Sequence, residues 1–547
     1  MTSVRLANGP VFTGDRAAPW AEAVLIDGGR IRAVGTLAHV RAVAPAAEEI
    51  DLGGRTVVPG FIDAHNHFLA TGESLAAVDL RTVTATDRSS FLAAVAEAAT
   101  NTERGGLVVG YGFDPAKYRD GAPTRWDLDR VAPEHRVVVY HVSGHGALAS
   151  TSLLDAAGID DTTPDPPGGS FVRDAAERLT GLCFDAALQR LVPVAVDIGQ
   201  HGPNFHVAAT ADALKAAVLR AQSAFVASGL TTVCDAQVTS REMDAYQSVR
   251  RQGLLRLRTV CMPLSSQLDA YATTGLTTGF GDSMLHLGPM KFYADGTLIG
   301  GTALLAEPYG CDGQHSGHLF RSVDELRTDV LRAHALGWRV GVHVQGDEAI
   351  ASVLGILNDA QRHHTVADPR PRLEHAGLPD RAHLKLMAGL GAIAVNQPSY
   401  LYELGDQFRA DLGDRADRLQ PMRSELAAGV RFCISSDSDV ASYRPLDSVS
   451  SALSRRTSGG DVLGADQRLT LDEALFAHTI DAAFAVGREH DLGSLSSGKR
   501  ADLCIVDGDL RTCPADDIRT LPTWATMIDG EWAHGPGRRA AGVGEEP

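Results

Sequence analysis

Positive charge is in short supply in this chain: 50 Lys and Arg stand against 68 Asp and Glu in 547 residues, for a formal net charge of −18. A field of that sign repels a phosphate backbone or an anionic bilayer, so neither nucleic acid nor membrane is expected as a partner. The acidic residues are dispersed, which suits a solvated surface. Cysteine is also sparse. The seven present (Cys183, Cys234, Cys261, Cys311, Cys433, Cys504 and Cys513) are odd in number and form no CxxC pair. That argues against a disulfide framework and fits a reducing, cytoplasmic compartment. No apolar run approaches the ~18 residues of a membrane span. The start, MTSVRLANGPVFTGD, lacks the basic-then-apolar order of a signal peptide. No GxGxxG or Walker-type loop opens a helix, and Gly300-Gly301 has the wrong spacing, which disfavours a nucleotide-binding α/β protein.

What is present is an ordinary globular balance, 44% hydrophobic and 22% charged, in a chain long enough for more than one unit. Residues 1–58 read as short strands broken by turn residues, with Asn8-Gly9 and Asp27-Gly28 placed as hairpin turns. Residues 479–537 contain similar segments, ADLCIVDGD and WATMIDGEW. Neither end can build a core alone, so the two are expected to pair into one small β-sandwich. Residues 538–547 read as a flexible tail.

The middle, 59–478, alternates short apolar runs with amphipathic segments, the pattern of parallel βα units. Eight candidate strands occur at 57–63, 230–236, 255–262, 288–295, 338–344, 371–376, 391–397 and 430–437. Eight is the number that closes a (β/α)8 barrel of the TIM type, a fold that absorbs about 250 residues. In the intervening segment 211–229, Leu214, Val218, Ala221 and Phe225 share one helical stripe that ends at Gly229. The stretch between the first and second strands is too long for a βα connection. It is expected to hold an inserted subdomain, about 70–210, covering part of the barrel mouth.

The chemistry-bearing residues fall at strand ends. His65 and His67 in FIDAHNHF are two apart, so on a strand both imidazoles share a face. His343 ends WRVGVHV, His375 ends PRLEH, Asp437 ends VRFCISSD, and Lys291 lies in GPMKFYAD. Barrel active sites are built at that end of the strands, and several His with a carboxylate suit a divalent metal, zinc above all. A lone HxH is weak evidence; histidines and an acid recurring at the same rim are not. Manganese, iron, cobalt or nickel could occupy the same donors.

The segments VVPGFIDAHNH, PGGSFVRDAAERLTG, MKFYADGTL, GVHVQGDEAI, RLEHAG, ISSDS and LGSLSSGKRADLCIVDGD together resemble the amidohydrolase superfamily, in the amidohydrolase family 3 branch that includes N-substituted formamide deformylases. The resemblance implies one or two divalent metal ions. His65 and His67 would hold the more buried one and His343 and His375 the second. Lys291 would be carboxylated and bridge them. Asp437 would be both ligand and proton carrier for a metal-activated hydroxide that attacks an amide or formamide carbonyl. His145 in HVSGHGALAS would assist at the developing oxyanion. Tyr111, Asp114, Tyr293, Gln397 and Tyr400 are candidate substrate contacts, with Phe113, Asp295 and Tyr402 beside them. His363-His364, at a helix end, reads as bland. The same metal core serves carbamate, cyclic amide, urea or ester hydrolysis and deamination, and a non-catalytic barrel scaffold is the rival of another class. A homodimer is the default assembly.

Overall fold

The computed structural model describes residues 3–80, 87–115, 118, 121–309 and 315–536. The expected tail at 538–547 lies outside them. Eight core strands are labelled β1 (Phe61–Asn66), β2 (Leu230–Val238), β3 (Arg258–Pro263), β4 (Met290–Tyr293), β5 (Val340–Val344), β6 (Arg372–His375), β7 (Ile393–Asn396) and β8 (Arg431–Ile434). All pairings among them are parallel. The order is that of a TIM-barrel-like α/β fold, but the hydrogen-bond ladder resolves into two sheets rather than one closed ring. One runs β1-β2-β3 and then adds the short strand Leu285–Leu287; the other runs β4 to β8 in chain order.

The two seams have local causes. Between β3 and β4, Pro289 offers no N–H to a ladder, and one parallel bridge, Leu264 to Lys291, spans the gap. Between β8 and β1, the buried Asp63 carboxylate takes the partners that a ladder would use. It accepts from Ser436 N at 2.9 Å and Ser436 Oγ at 2.6 Å. Beyond it the chains meet again, with Asp437 N donating to His65 O at 2.8 Å and His67 N to Ser438 O at 2.7 Å.

The first expected strand, 57–63, is two strands in different sheets. Thr56–Pro59 belongs to the terminal sheet and β1 begins at Phe61. The break is Gly60, where a Cβ would sit 2.2 Å from Thr231 Oγ1. Thr56–Pro59 pairs antiparallel with Leu503–Val506 and parallel with Val4–Phe12, so both termini share one eight-stranded sheet. Asn8-Gly9 makes no hairpin in it. Val4–Phe12 runs on through a bulge with Asn8 at φ 64°. Asp27-Gly28 does turn a hairpin, between Trp20–Asp27 and Arg30–Gly35.

Helices cover the parallel sheets. Ala211–Ala227 starts at Thr210, whose side chain caps Ala213 N, and buries Val218, Ala221 and Phe225; Leu214 is half-buried at the stripe's edge. Val323–Ala335 opens with a Ser322/Glu325 capping box. Inside the strands, Ile62, Ala64, Cys234, Ala236, Val260, Met262, Ile393, Val395 and Cys433 form an apolar plug closed by Ala482 and Ala483 of the helix Ile480–Ala485. The long connection between β1 and β2 carries its own six-stranded sheet, in the order Gly169–Arg173, Leu179–Asp185, Gly146–Ala149, Arg136–His141, Leu107–Phe113 and Val78–Asp79. No helix among the described residues is long and apolar enough to cross a membrane.

Candidate metal centre

His65, at the end of β1, is fully buried and His67 nearly so. Asp437 lies three residues beyond β8. Its Oδ1 is 3.3 Å from His65 Nε2 and 3.1 Å from His67 Nε2, and Oδ2 accepts the Tyr400 hydroxyl. One donor atom from each of His65, His67 and Asp437 falls within 4.8 Å of the others. His375, ending β6, places its ring 4.9 Å from that of His65 and 4.5 Å from that of His343 on β5. All five residues line one cavity. Two of them hold backbones that L-residues rarely adopt, Asp437 at φ 52° and His375 at φ 74°. Such conformations cost about 1–3 kcal/mol each and persist where the surroundings enforce them.

Three of the four imidazoles are tethered through one ring nitrogen, which leaves the other as the lone-pair donor. His65 Nδ1 donates to Glu374 Oε2 at 2.6 Å, His375 Nδ1 to Gln397 Oε1 at 2.9 Å, and His343 Nε2 to Gly296 O at 3.0 Å. Burial drives the pKa of His375 down to about 3 and holds His343 well below the usual range, so both are neutral bases. Burial alone would raise the Asp437 carboxyl, but His65 and His67 outweigh it and keep Asp437 ionised.

These residues fit a cation. His65 Nε2, Asp437 Oδ1 and Lys291 Nζ are buried polar atoms without a hydrogen-bond partner. Leaving such atoms unmet costs about 1–3 kcal/mol each, and more when charged. Lys291, on β4, is fully buried and is not among the residues that line the cavity; its Nζ lies 4.5 Å from the centre of the Tyr293 ring. Burial brings its pKa down to about 8.

Four further expected residues also reach the cavity: His145, Tyr111, Tyr293 and Tyr400. His145 comes from the inserted sheet. Its Nδ1 donates to Asp185 Oδ1 at 3.1 Å and its ring lies 5.8 Å from that of His343. Tyr293 stacks on His343 at 4.8 Å, and its hydroxyl donates to Gln237 Oε1. Tyr111 stacks on Tyr140 at 4.8 Å.

Other candidates stand elsewhere. Gln397 is fully buried behind His375, where its amide also donates to Val395 O and Ser435 Oγ. Asp114 is buried outside the cavity lining, and Phe113 packs on Phe91 and Tyr118. Asp295 is more than a turn residue. It accepts from Leu304, Gln345 and Gly346 N–H groups and so ties the segment after β4 to the end of β5. Tyr402 packs under the Arg519 guanidinium, and His363 closes the helix Asp347–His363.

Four contributors escaped the sequence reading: Glu374, Arg372, Asp185 and Phe205, whose ring meets His67 edge-on at 5.0 Å. Glu374 and Arg372 left a signal, two charges two residues apart in a strand expected to be buried. Asp185 and Phe205 left none, since only the folded insert brings them to the rim.

Residues 48–534 match the amidohydrolase family. An N-substituted formamide deformylase of Arthrobacter pascens is 33% identical, over 97% of this chain and 98% of its own. The protein LONG AFTER FAR-RED 3 of Arabidopsis thaliana is 30% identical, over 92% of this chain and 86% of its own. A crystal structure of an uncharacterized metal-dependent hydrolase from Pyrococcus horikoshii shares the fold, with a TM-score of 0.75 at 24% identity over 94% of this chain and 99% of that one.

Proposed function

Because this chain belongs to the amidohydrolase family, we propose that it is a metal-dependent hydrolase that cleaves the C–N bond of a small amide, with an N-substituted formamide as the first substrate to test. One observation carries the reading. Four imidazoles and an acid from four strand ends line a single cavity, and His65 Nε2 and Asp437 Oδ1 face each other there without hydrogen-bond partners.

His65, His67 and Asp437 would hold one ion, and His343 and His375 a second. Zinc suits this donor set. Lys291, whose Nζ is buried and unmatched, would join the set as its carbamate, because an ammonium would repel the ions. When bound, the metal supplies an acidified water and a positive charge for the carbonyl oxygen.

The remaining work falls to side chains. Asp437 Oδ2, fixed by the Tyr400 hydroxyl, accepts the proton of the attacking water and returns it to the leaving nitrogen. His145, its Nδ1–H held by the Asp185 carboxylate, would act as the imidazolium and donate from Nε2 to the carbonyl oxygen as negative charge grows there. Tyr111 and Tyr293 form an aromatic wall that orients the substrate and keeps bulk water away.

The test is an assay of metal-loaded enzyme on N-substituted formamides, N-acyl amino acids, carbamates and cyclic ureas, following formate or amine release. Formamide turnover that stops on chelation and returns with added zinc is expected. Turnover of another class in its place would reassign the substrate. Activity indifferent to chelation would overturn the reading.

A further inference from the structure

His65 differs from the other tethered imidazoles in what holds it. His343 donates to a peptide carbonyl and His375 to a neutral amide, but His65 donates to a carboxylate that is itself ion-paired. Arg372 and Glu374 lie two apart on β6, both with 0% exposure. The guanidinium binds the carboxylate through two parallel bonds, Nε to Oε1 at 2.7 Å and Nη2 to Oε2 at 2.8 Å. Arg372 Nη2 also donates to Ala64 O at 2.7 Å, on the residue just before His65. The pair therefore fixes both the ring and the backbone of His65, reaching from β6 to β1 through the core interior. The strand alongside leaves room for it. At Gly341 on β5, a Cβ would fall 2.7 Å from Glu374 Oε1 and 2.5 Å from Met262 Cε.

A buried ion pair is a poor source of stability, because desolvation cancels most of the attraction, and apolar residues of similar size do as well. Its placement here answers a different need. A carboxylate can only accept, so His65 Nδ1 keeps its proton, and Nε2 is the nitrogen left to offer a lone pair when a cation binds. That nitrogen is one of the buried atoms left without a partner.

We propose that the Arg372–Glu374 pair is the positioning device of the metal centre, locking His65 as the Nδ1–H tautomer and aiming Nε2 at the ion. Neither residue touches the ion or the substrate. The bidentate bond holds Glu374 in one rotamer, Glu374 holds the His65 ring, and the ring is presented without search. Carboxylates placed behind metal-ligating imidazoles in this way change metal affinity by about 10–100-fold when removed. The inference rests on the metal centre proposed above, so its test reads metal binding and needs no substrate.

The double variant Arg372→Met/Glu374→Leu removes both charges together and strands neither. Zinc dissociation constants from chelator competition, and thermal midpoints of metal-free protein, are measured for it and for the unaltered chain. The expected result is binding weakened 10–100-fold, with the metal-free midpoint little changed. In Arg372→Met/Glu374→Gln an amide oxygen still accepts from His65 Nδ1, and part of the affinity is expected to return. A third variant, Gly341→Ala, keeps every ligand and charge and presses only on Glu374 and Met262; it is expected to weaken binding in the same direction.

An unchanged dissociation constant in the first variant, with a lowered metal-free midpoint, would show a structural ion pair only and overturn the proposal. If the double variants fail to fold, a crystal structure of the zinc-loaded unaltered chain decides. Zinc on His65 Nε2 with Nδ1 still bonded to Glu374 supports the proposal, whereas zinc on Nδ1, or Glu374 turned away, overturns it. Absence of any zinc binding by the unaltered chain would overturn the metal centre itself, a failure distinct from normal binding by the variants.

Discussion

Changing Asp437 to Asn replaces one oxygen by an amide nitrogen at the point where His65 and His67 converge. The shape is kept and so is an acceptor for the Tyr400 hydroxyl. The buried negative charge is lost, and with it the base for water's proton. Because the neighbouring imidazoles outweigh burial and hold the carboxyl below its usual range, the fold favours the charge, so the metal-free variant should melt lower than the unaltered chain at neutral pH. Catalysis is another matter. Loss of a positioned acid–base group costs about 10²–10⁴ in rate, or roughly 3–5 kcal/mol of barrier. The assay is steady-state formate release from an N-substituted formamide at saturating zinc, with bound metal counted in the same samples. A fall of that size in kcat, with KM within a few-fold, marks an interaction made only in the transition state. A metal-loaded Asp437→Asn enzyme turning over within tenfold of the unaltered one would refute the proton-carrying role. A loss reversed by added zinc would reduce Asp437 to a metal holder.

Tyr400→Phe removes the hydrogen bond that fixes Asp437 Oδ2; a bond to a charged group contributes about 1.5–3 kcal/mol, so a 10- to 100-fold fall in kcat is expected, read in the same assay. His145→Ala should cost about 10²–10³ in kcat, as for loss of an oxyanion donor, and Asp185→Asn should lose much of the same amount; a double variant no worse than His145→Ala shows that they act as one unit, and additive losses would separate them. Glu425 gives a pH signature remote from catalysis. It is fully buried against Asn396, and burial raises its carboxyl from 4.5 to about 8. The folded state then binds the proton more tightly than the unfolded chain, so stability is full below pH 4.5 and falls as pH rises towards 8, by up to about 1.4 kcal/mol per pH unit. Glu425→Gln should flatten that slope and raise the denaturation midpoint at pH 8, with little change near pH 5; an unaltered slope would contradict the assignment.

The parts legible in the sequence were those with local periodicity. The core strands show as apolar runs, and His65, His67, His343, His375 and Asp437 show because each falls where such a run stops. The helix expected over 211–229 shows in its apolar stripe and closing glycine, and it runs over Ala211–Ala227. Contacts between distant segments were not visible. Glu374 meets His65 across 309 residues, and no spacing rule encodes that bond. Gln397, expected at the rim from its place at a strand end, is bonded behind His375 instead, since one residue of register decides which way a side chain faces. The same limit explains Gly60. The apolar run 57–63 reads as one strand, and only the approach of Thr231 shows that the chain must change sheets at Gly60.

The most direct test is anomalous diffraction above and below the zinc edge from crystals of the zinc-loaded protein. A peak is expected about 2.0–2.2 Å from His65 Nε2, from a ring nitrogen of His67 and from Asp437 Oδ1. A zinc-loaded crystal with no peak in that cavity, or with zinc held only by residues elsewhere on the molecule, would contradict the proposed metal centre.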